Sequence, residues 1–274
     1  MFVACIQMRS TTDMEHNWSV FETLCRQAAG RNVDLIISPE NTLFLGPQFH
    51  KVTLAQSIEA TDGWAQKCAD LAAELNVHLL LGSMAEQYIE DGQPSMHKCF
   101  NTSVFFSNEG LILAKYRKIH LFDVNIPGGL CIAESDTIQA GDDVVVVDCA
   151  LGKIGMSICY DLRFPELYRK MVDAGAQMIA IPSAFTLTTG KDHWHPLLRA
   201  RAIETQTWVF APGQWGTHDE EGKRKSYGHS LIIDPWGVVV ADAGEGERIA
   251  YAEVDLEYVE QVRQSIPVHS HRRI

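Results

Sequence analysis

One cysteine of this chain lies in a setting that suits a nucleophile. In the stretch KIGMSICYDLRFPELYR (153–169), a β-rich run from Lys153 to Ile158 precedes a helix that opens near Pro165, where the missing N–H costs little. Cys159 falls in the tight passage between them, at the carboxyl end of a strand and close to the positive end of a helix. Both features favour a nucleophilic thiolate. The alternative is a small buried hydrophobic residue, which is what most free cysteines are.

Two further polar residues occupy the same kind of position. Glu40 follows the predicted strand DLIIS (34–38), and Lys118 ends the predicted strand LILAKYRK (111–118). Ligands gather at the carboxyl ends of strands in layered α/β proteins, so Glu40, Lys118 and Cys159 could converge. The thiol would then attack an acyl carbon, the carboxylate would take the thiol proton, and the ammonium would stabilise the oxyanion. A structural Glu–Lys pair beside an unrelated cysteine is the alternative.

The elements that must position these residues mix β–α–β units with adjacent strand pairs. Apolar runs predict strands at 2–8, 34–38, 77–82, 100–107, 111–118, 144–148, 153–158, 176–182, 207–213, 229–237, 238–242 and 248–255. Helical periodicity predicts helices at 13–30, 63–76 and 256–265, a helix opening at 164–170, and a loop running into a helix within 188–206. This order predicts one α/β domain over 1–274, with layered mixed sheets rather than a purely parallel sheet.

Composition narrows the classes of function. The chain has 274 residues, of which 46% are hydrophobic, and its net charge of −12 argues against nucleic-acid binding, which needs clustered Lys and Arg. The apolar runs are strand-length and no basic amphipathic helix is present, which argues against a membrane partner. The seven cysteines are scattered and odd in number, and the N-terminus lacks a signal peptide pattern, so a cytoplasmic protein without disulfides is predicted.

Three motifs together resemble those of the nitrilase superfamily of carbon–nitrogen hydrolases. They are SPEN (38–41), KYRKIHLFD (115–123) and GMSICYDLRFPELYR (155–169), and they occur in the order that the family shows. The likeness runs from about residue 3 to the HRR near the C-terminus. The resemblance implies an α-β-β-α sandwich that pairs with a second copy into a longer sandwich, so a homodimer or higher homo-oligomer is expected.

The same resemblance implies a role for each site residue. Glu40 would be the general base, Lys118 the stabiliser of the oxyanion, and Cys159 the nucleophile. A second glutamate, Glu134, would orient the lysine and the substrate, and the backbone N–H of Tyr160 would complete the oxyanion hole. The catalytic cycle is expected to work best with a Glu40 pKa raised by burial, and with Glu134 keeping Lys118 cationic.

The C-terminal half resembles the branch of the family that hydrolyses small carboxylate-bearing amides. The motifs are IPSAFTLTTGKDHW (181–194), LLRARAIETQ (197–206) and SYGHSLIIDPWG (226–237). The first substrate that this implies is deaminated glutathione, split into 2-oxoglutarate and Cys-Gly. The LTTG sequence keeps open an ω-amidase activity on 2-oxoglutaramate or 2-oxosuccinamate. A nitrilase proper and a non-catalytic scaffold are further alternatives.

Two residues are candidates for binding the substrate carboxylate. Arg163 follows the nucleophile by four residues, and a guanidinium can clamp a carboxylate in bidentate fashion. Its alternative role is a surface salt bridge to Glu166 or Asp161. Thr189 lies in the loop that the family places over the pocket, and its alternative role is that of a simple turn residue.

No cofactor and no metal are predicted. His193 and His195 in DHWH lack a convincing pattern for a third metal ligand, so packing or helix-start roles are favoured. Gly128 and Gly129 read as a loop without a dinucleotide fingerprint. The sequence setting of a papain-like cysteine is also missing. The expected partner is therefore a small-molecule amide.

Overall fold

The computed structural model describes residues 1–125 and 131–273, so Gly128 and Gly129 lie outside the described residues. The strands are β1 (Phe2–Gln7), β2 (Leu35–Ile37), β3 (His78–Glu90), β4 (Gln93–Phe106), β5 (Ile112–Arg117), β6 (Asp123–Asn125), β7 (Cys131–Ala133), β8 (Val145–Cys149), β9 (Gly152–Met156), β10 (Met178–Ala180), β11 (Trp208–Ala211), β12 (Trp215–Thr217), β13 (Lys225–Tyr227), β14 (Leu231–Ile233), β15 (Val239–Asp242) and β16 (Arg248–Glu253). The helices are α1 (Met14–Ala29), α2 (Gln48–Leu54), α3 (Trp64–Leu75), α4 (Pro165–Asp173), α5 (Leu187–Thr205), α6 (Leu256–Ser265) and α7 (Val268–His271). Short 3-10 turns span Glu134–Asp136 and Cys159–Arg163.

Two six-stranded mixed sheets form the centre of the fold. Their strand orders are β16-β1-β2-β3-β4-β5 and β15-β14-β11-β10-β9-β8. In each sheet the middle strands are parallel, namely β1, β2 and β3 in the first and β9, β10 and β11 in the second. The outer pairs are antiparallel. Strands joined through helices thus lie parallel, while strands joined by short turns lie antiparallel.

The period of two along β1 shows how the layers stack. Val3 and Cys5 are in the apolar cluster between the two sheets, whereas Ala4 and Ile6 face the cluster that contains residues of α1 and α3. A third cluster joins the outer face of the second sheet to α4 and α5. Because successive strand side chains point to opposite faces, one strand serves two cores. The result is the predicted α-β-β-α sandwich.

Several predictions about single elements differ from the structure. A hairpin between β3 and β4 turns at Asp91 and Gly92, which both have positive φ, and extends both strands beyond the predicted ranges. Helix α2 was not predicted, and α5 begins at Leu187 with Thr186 as its N-cap, so the predicted loop is already helical. The seven cysteines are all free, and each helix in residues 1–125 and 131–273 is too short or too polar to cross a bilayer.

Candidate active site

Glu40 lies in a tight turn just past the end of β2. The Thr42 Oγ1 donates to the carbonyl oxygen of Pro39 at 2.7 Å, and Asn41 takes a left-handed φ of 59°. A Cβ at Gly82 of β3 would overlap the backbone of this turn. Only glycine therefore allows β3 to approach so closely, and the approach fixes the position from which the Glu40 carboxylate extends.

Lys118 continues the pairing of β4 and β5 by one residue. Its N–H donates to the carbonyl oxygen of Asn101 at 2.9 Å, and its own carbonyl accepts from the N–H of Gly141 at 2.9 Å. Tyr116 lies two residues earlier and packs between the sheets. The strand period of two therefore directs the Lys118 side chain inward as well, and it is only 2% exposed.

Cys159 opens the 3-10 turn that follows β9. Its φ is +49°, in the left-handed region that few residues other than glycine adopt. Its N–H donates to the carbonyl oxygen of Pro182 at 2.9 Å, and the N–H of Ile158 donates to Asp161 Oδ2 at 2.8 Å. The surrounding hydrogen bonds thus hold a strained backbone at the tip of the turn, where strain is often found in functional sites.

These side chains meet in one buried cluster. Lys118 Nζ donates to Glu40 Oε1 at 2.9 Å and to Glu134 Oε1 and Oε2 at 3.1 and 2.9 Å. Glu40 Oε2 accepts from the N–H of Ala184 at 2.9 Å, and the Cys159 thiol lies near enough to the Glu40 carboxylate for each to shift the pKa of the other. Because Ala184 follows β10 of the second sheet, the cluster joins both sheets. The structure thus brings together the three residues that the sequence places at strand ends, with Glu134 beside them.

The charges of the cluster set the protonation of its lysine and its thiol. Burial alone would lower the pKa of Lys118, but the negative charges of Glu134 and Glu40 raise it well above its ordinary value. Burial raises the pKa of the Cys159 thiol well above its ordinary range, and the charge of Glu40 raises it further. The resting cysteine is therefore a thiol beside an ionised carboxylate, and not the thiolate that the sequence setting favours.

Glu40 departs from expectation in the direction of its pKa. Burial does act to raise that pKa, but the positive charges of Lys118 and Lys51, with hydrogen bonds from Lys118 and Cys159, hold it below its ordinary value. The expectation of a raised Glu40 pKa is wrong, because the positive charges of Lys118 and Lys51 outweigh the effect of burial. Lys51 has no place in the three sequence motifs and was missed by sequence reasoning.

Asn101 is a second residue that sequence reasoning missed. Its Nδ2 donates to Glu40 Oε1 at 3.0 Å and lies 3.5 Å from Glu134 Oε1, so one amide contacts both carboxylates. The side chain is 3% exposed and lies within β4. The signal in the sequence was an asparagine inside a strand pattern, since a buried amide needs polar partners.

Asp161 ties the nucleophile turn to the strand that carries the lysine. Its fully buried carboxylate accepts from the Tyr116 hydroxyl at 2.7 Å and from the backbone N–H groups of Ile158 and His120 at 2.8 and 3.0 Å. Sequence reasoning considered Asp161 only as an ion-pair partner of Arg163. The structure gives it the different task of joining the two sheets next to Cys159.

Arg163 lines the same pocket. Its Nη2 lies 3.3 Å from His193 Nδ1, and its guanidinium lies 5.3 Å from the centre of the Phe185 ring. Within the described part of the chain Arg163 forms no ion pair with Glu166. The Asp161 carboxylate accepts hydrogen bonds from the Tyr116 hydroxyl and the His120 N–H and is not paired with Arg163 either. The alternative of a surface salt bridge for Arg163 is therefore not what the structure contains.

Thr189 and Tyr160 also line the pocket. Thr189 lies in the first turn of α5 rather than in a loop, and its Oγ1 is 2.8 Å from Thr186 Oγ1. The prediction of a loop at Thr189 is wrong, because the Thr186 side chain caps the helix earlier than the sequence pattern suggested. Tyr160 follows Cys159 in the 3-10 turn, and its ring packs against Phe122 and Phe164.

The pocket above the cluster has a volume of about 470 Å³ and is positively charged. Six cationic side chains line it together with two carboxylates, and these are Lys51, Lys118, Arg163, Lys223, Arg224 and Lys225 with Glu40 and Glu134. The chain as a whole carries a net charge of −12. A cleft whose sign opposes that of the molecule concentrates ligands of the opposite charge, so this pocket favours an anionic ligand.

Three side chains outside this pocket hold donor atoms that are close enough together to bind a metal ion. In residues 1–125 and 131–273, His195, His229 and Asp242 hold donor atoms within 4.8 Å of one another. Asp242 lies 3.0 Å from His229 Nδ1 and 3.4 Å from His195 Nε2. Hydrogen bonds between the Asp242 carboxylate and the two imidazole rings account for these short distances. His195 lies inside α5, and its ring faces the end of β15 rather than the cluster around Cys159.

Several known proteins are similar to this chain in sequence and in fold. The family model described as carbon-nitrogen hydrolase matches residues 2–264. A protein of Dictyostelium discoideum named deaminated glutathione amidase is 41% identical over 273 residues, which cover 98% of this chain and 92% of that protein.

Two crystal structures show how closely the fold is shared. The NitFhit protein of Caenorhabditis elegans superposes with a TM-score of 0.89 at 40% identity, covering 99% of this chain and 65% of that one. Nit3 of Saccharomyces cerevisiae, described as a member of branch 10 of the nitrilase superfamily, superposes with a TM-score of 0.88 at 33% identity, covering 100% of this chain and 97% of that one. The agreement spans both sheets and the segments that carry the buried cluster, and the chain belongs to the carbon–nitrogen hydrolase family of the nitrilase superfamily.

Proposed function

We propose that this enzyme hydrolyses deaminated glutathione to 2-oxoglutarate and Cys-Gly through a thioester on Cys159. The observation that carries the proposal is the meeting of the Cys159 thiol, the Glu40 carboxylate and the Lys118 ammonium at a pocket lined by cations. The name of the Dictyostelium relative supports the choice of substrate.

In the acylation step, Cys159 Sγ bonds to the amide carbon while its proton passes to Glu40. The lowered pKa of Glu40 keeps it ionised and able to accept that proton, and the thiol lies beside it. When the C–N bond breaks, Glu40 returns the proton to the departing amine. The difficult attack on an amide is thereby divided into two easier steps through a covalent intermediate.

In the deacylation step, Glu40 takes a proton from a water molecule, and the resulting hydroxide attacks the thioester carbon. The C–S bond breaks, the acid product leaves, and the proton on Glu40 returns to the sulfur. One carboxylate therefore serves as base and acid in turn. Hydrogen bonds from Asn101, Lys118 and Ala184 hold that carboxylate in a single position for both steps.

The oxyanion of each tetrahedral intermediate needs preorganised donors. We assign this role to Lys118 Nζ and to the backbone N–H of Tyr160. Glu134, which accepts two hydrogen bonds from Lys118 Nζ, keeps the ammonium charged and oriented. Loss of a single such donor costs about 3 kcal/mol of transition-state stabilisation in comparable sites.

Arg163 and Thr189 are proposed to bind the carboxylate of the 2-oxoacyl half. Arg163 has no carboxylate partner among the described residues, so its guanidinium is available to an anionic ligand. Thr189 offers a hydroxyl on the same lining. A planar guanidinium matches a carboxylate with two parallel hydrogen bonds, which fixes orientation as well as charge.

The choice between substrates depends on the leaving group. Deaminated glutathione and 2-oxoglutaramate share the same acyl half, so both would make the same contacts with the Cys159 cluster and Arg163. A pocket of about 470 Å³ has room for more than the small amide, and its additional cations suit the second carboxylate that the peptide carries. We therefore place deaminated glutathione first, with the ω-amidase substrate 2-oxoglutaramate as the alternative.

The experiment compares kcat/KM for the two amides with the purified chain, measuring 2-oxoglutarate, which both release. We expect deaminated glutathione to be preferred by at least about tenfold, because differential transition-state binding sets this ratio. A preference for 2-oxoglutaramate would establish the ω-amidase alternative. A panel of small nitriles serves as a further control, since faster turnover of nitriles would contradict an amidase.

The pH dependence of kcat/KM follows from the shifted pKa values of Glu40 and Cys159. Activity needs Glu40 ionised, and its pKa is lowered, so we expect the acid limb below the ordinary glutamate value of about 4.3. The Cys159 pKa is raised, so the reactive thiol form persists above the ordinary cysteine value of about 8.5. The profile should be flat between these limits, with circular dichroism confirming the fold at each pH. An acid limb above pH 5 would contradict this assignment.

Three further points belong to the proposal. Residues 1–274 act as one catalytic domain, the protein works in the cytoplasm, and it assembles as a homodimer or higher homo-oligomer. The first and third rest on the family resemblance. The seven free cysteines support the second, since a reducing compartment keeps thiols unpaired.

A further inference from the structure

Two polar side chains of α2 face the pocket without partners of their own. Lys51 lines the pocket and is 5% exposed. Burial lowers the pKa of Lys51, while the negative charges of Glu134 and Glu40 act to raise it, and its side chain forms no hydrogen bond or ion pair within residues 1–125 and 131–273. A largely buried lysine that lines a pocket without a protein partner leaves its ammonium available to an anionic group of a ligand.

Gln48 provides a second, independent observation on the same wall. It lies three residues before Lys51, so the two side chains share one face of α2. Gln48 Oε1 is buried and accepts no hydrogen bond from the described residues. The Gln48 amide therefore has hydrogen-bonding capacity that no described protein group uses, next to a lysine that also has no partner.

The position of α2 relative to Glu40 identifies the half of the substrate that it faces. Glu40 returns its proton to the departing amine, so the leaving group lies beside Glu40. The charges of both Glu40 and Glu134 act on Lys51, and both line the pocket with it, so Lys51 lies near the carboxylate from which the amine departs. Arg163, assigned to the acyl half, extends instead from the turn that follows Cys159.

Arg224 is a second cation beside this wall. It donates to the carbonyl oxygen of Gly46, two residues before α2, and lines the pocket itself. Positive charge therefore extends beyond Lys51 along the lining. The other charged residues of this part of the lining, Lys223 and Lys225, are also cations.

We propose that Gln48 and Lys51 form a leaving-group subsite for a short peptide with a free C-terminal carboxylate. Lys51 pairs with that carboxylate, and the Gln48 side-chain amide hydrogen-bonds to the peptide bond. The inference rests on the proposed function and deepens it, because it explains how one acyl half can be shared while the leaving group decides between substrates. Ammonia, the leaving group of 2-oxoglutaramate, has neither feature.

The test pairs a change in the protein with a change in the substrate. The substrates are deaminated glutathione and the same compound with a C-terminal carboxamide, and the proteins are the wild type and Lys51→Met. We expect the wild type to prefer the carboxylate at least about 30-fold in kcat/KM, as for other desolvated charge pairs, and the variant less than about threefold. Lys51→Arg, which keeps the charge, should restore most of the preference.

Lys153→Met is the matched control, because that lysine is 43% exposed and does not line the pocket. It should keep the wild-type preference. Lys51→Met should fold, since it removes a buried charge without leaving an ion-pair partner, and thermal unfolding checks this. If Lys51→Met lost the same fraction of kcat/KM for the carboxylate and for the carboxamide, the subsite proposal would be overturned and Lys51 would have a structural role.

The wild type alone also decides between the outcomes. If it turns over the carboxylate and the carboxamide equally, the subsite is wrong, whatever the fold of the variant. Turnover of deaminated glutathione by the wild type supports the proposed function even then. If the wild type hydrolyses only 2-oxoglutaramate, both the peptide subsite and the first choice of substrate are wrong, while the thiol amidase mechanism remains.

Discussion

Replacing Cys159 with alanine should reduce kcat for amide hydrolysis by at least about 10⁴-fold, as removal of the nucleophile does in other acyl-transfer enzymes. The variant keeps Glu40, Lys118 and Glu134 in place, but no atom remains that can form the thioester. The loss should therefore appear in kcat, while deaminated glutathione still binds. Rates of 2-oxoglutarate release and the affinity measured by calorimetry separate the two effects.

Cys149→Ala is the matched control for this variant. Cys149 is also a free, partly buried cysteine, but it lies on β8 and does not line the pocket. It should retain wild-type activity. In the wild type, rapid acid quenching during turnover should trap an acyl adduct, which intact-mass analysis and peptide mapping would assign to Cys159. Substantial hydrolysis by Cys159→Ala would mean that the sulfur is not the nucleophile.

Replacing Glu40 with glutamine should lower kcat/KM by about 10³-fold, within the range of general acid–base contributions. Glutamine keeps the size of the side chain and its ability to accept from Asn101 and Lys118. It cannot take the thiol proton or return it to the amine. Both the acylation and deacylation steps therefore lose their base, which is why a large effect is expected from an isosteric change.

The same variant should leave the sulfur reactive toward a reagent that needs no base. Because the negative charge of Glu40 raises the pKa of Cys159, its removal should lower that pKa and speed alkylation by iodoacetamide near neutral pH. Faster alkylation together with lost hydrolysis would separate the base from the nucleophile. Slower alkylation would contradict the arrangement of charges described for the cluster.

Glu134→Gln is the matched comparison, since Glu134 contacts the same Lys118 Nζ but not the thiol. We expect a smaller loss, about 10- to 100-fold, which is typical of a group that orients another. A loss as large as that of Glu40→Gln would assign Glu134 a direct part in proton transfer.

Opposite charges within the cluster offset one another, which allows the site to hold four ionised groups away from water. Glu40 and Glu134 face Lys118 directly, and Lys51 adds a second positive charge nearby, so the group is balanced overall. Removing Lys118, the one ammonium that is ion-paired with both carboxylates, would leave charge uncompensated and be strongly destabilising, whereas Lys51 is not an ion-pair partner of either. The balance depends on Lys51 lying close to Glu40, and that proximity is a property of the folded chain alone.

Local sequence patterns identify the chemistry-bearing residues and the class of fold. Strand ends marked Glu40, Lys118 and Cys159 through local patterns, and the motifs around them carry the family likeness. The alternation of β–α–β units with strand pairs predicted layered mixed sheets, because apolar periodicity is read within a few residues. Most strands and helices follow such local signals, and the fold class is confirmed.

How these residues meet, and which charges act on them, depends on the packing of segments that are distant in the chain. Glu40 and Cys159 come from different sheets, and their contact depends on the packing of both. The lowered pKa of Glu40 depends first on Lys118, which follows β5, and then on Lys51, which lies on a helix without a clear sequence signal, and the anchoring by Asp161 depends on Tyr116 in the other sheet. Local patterns report which way a side chain points, whereas burial and charge proximity arise only when distant segments are packed together.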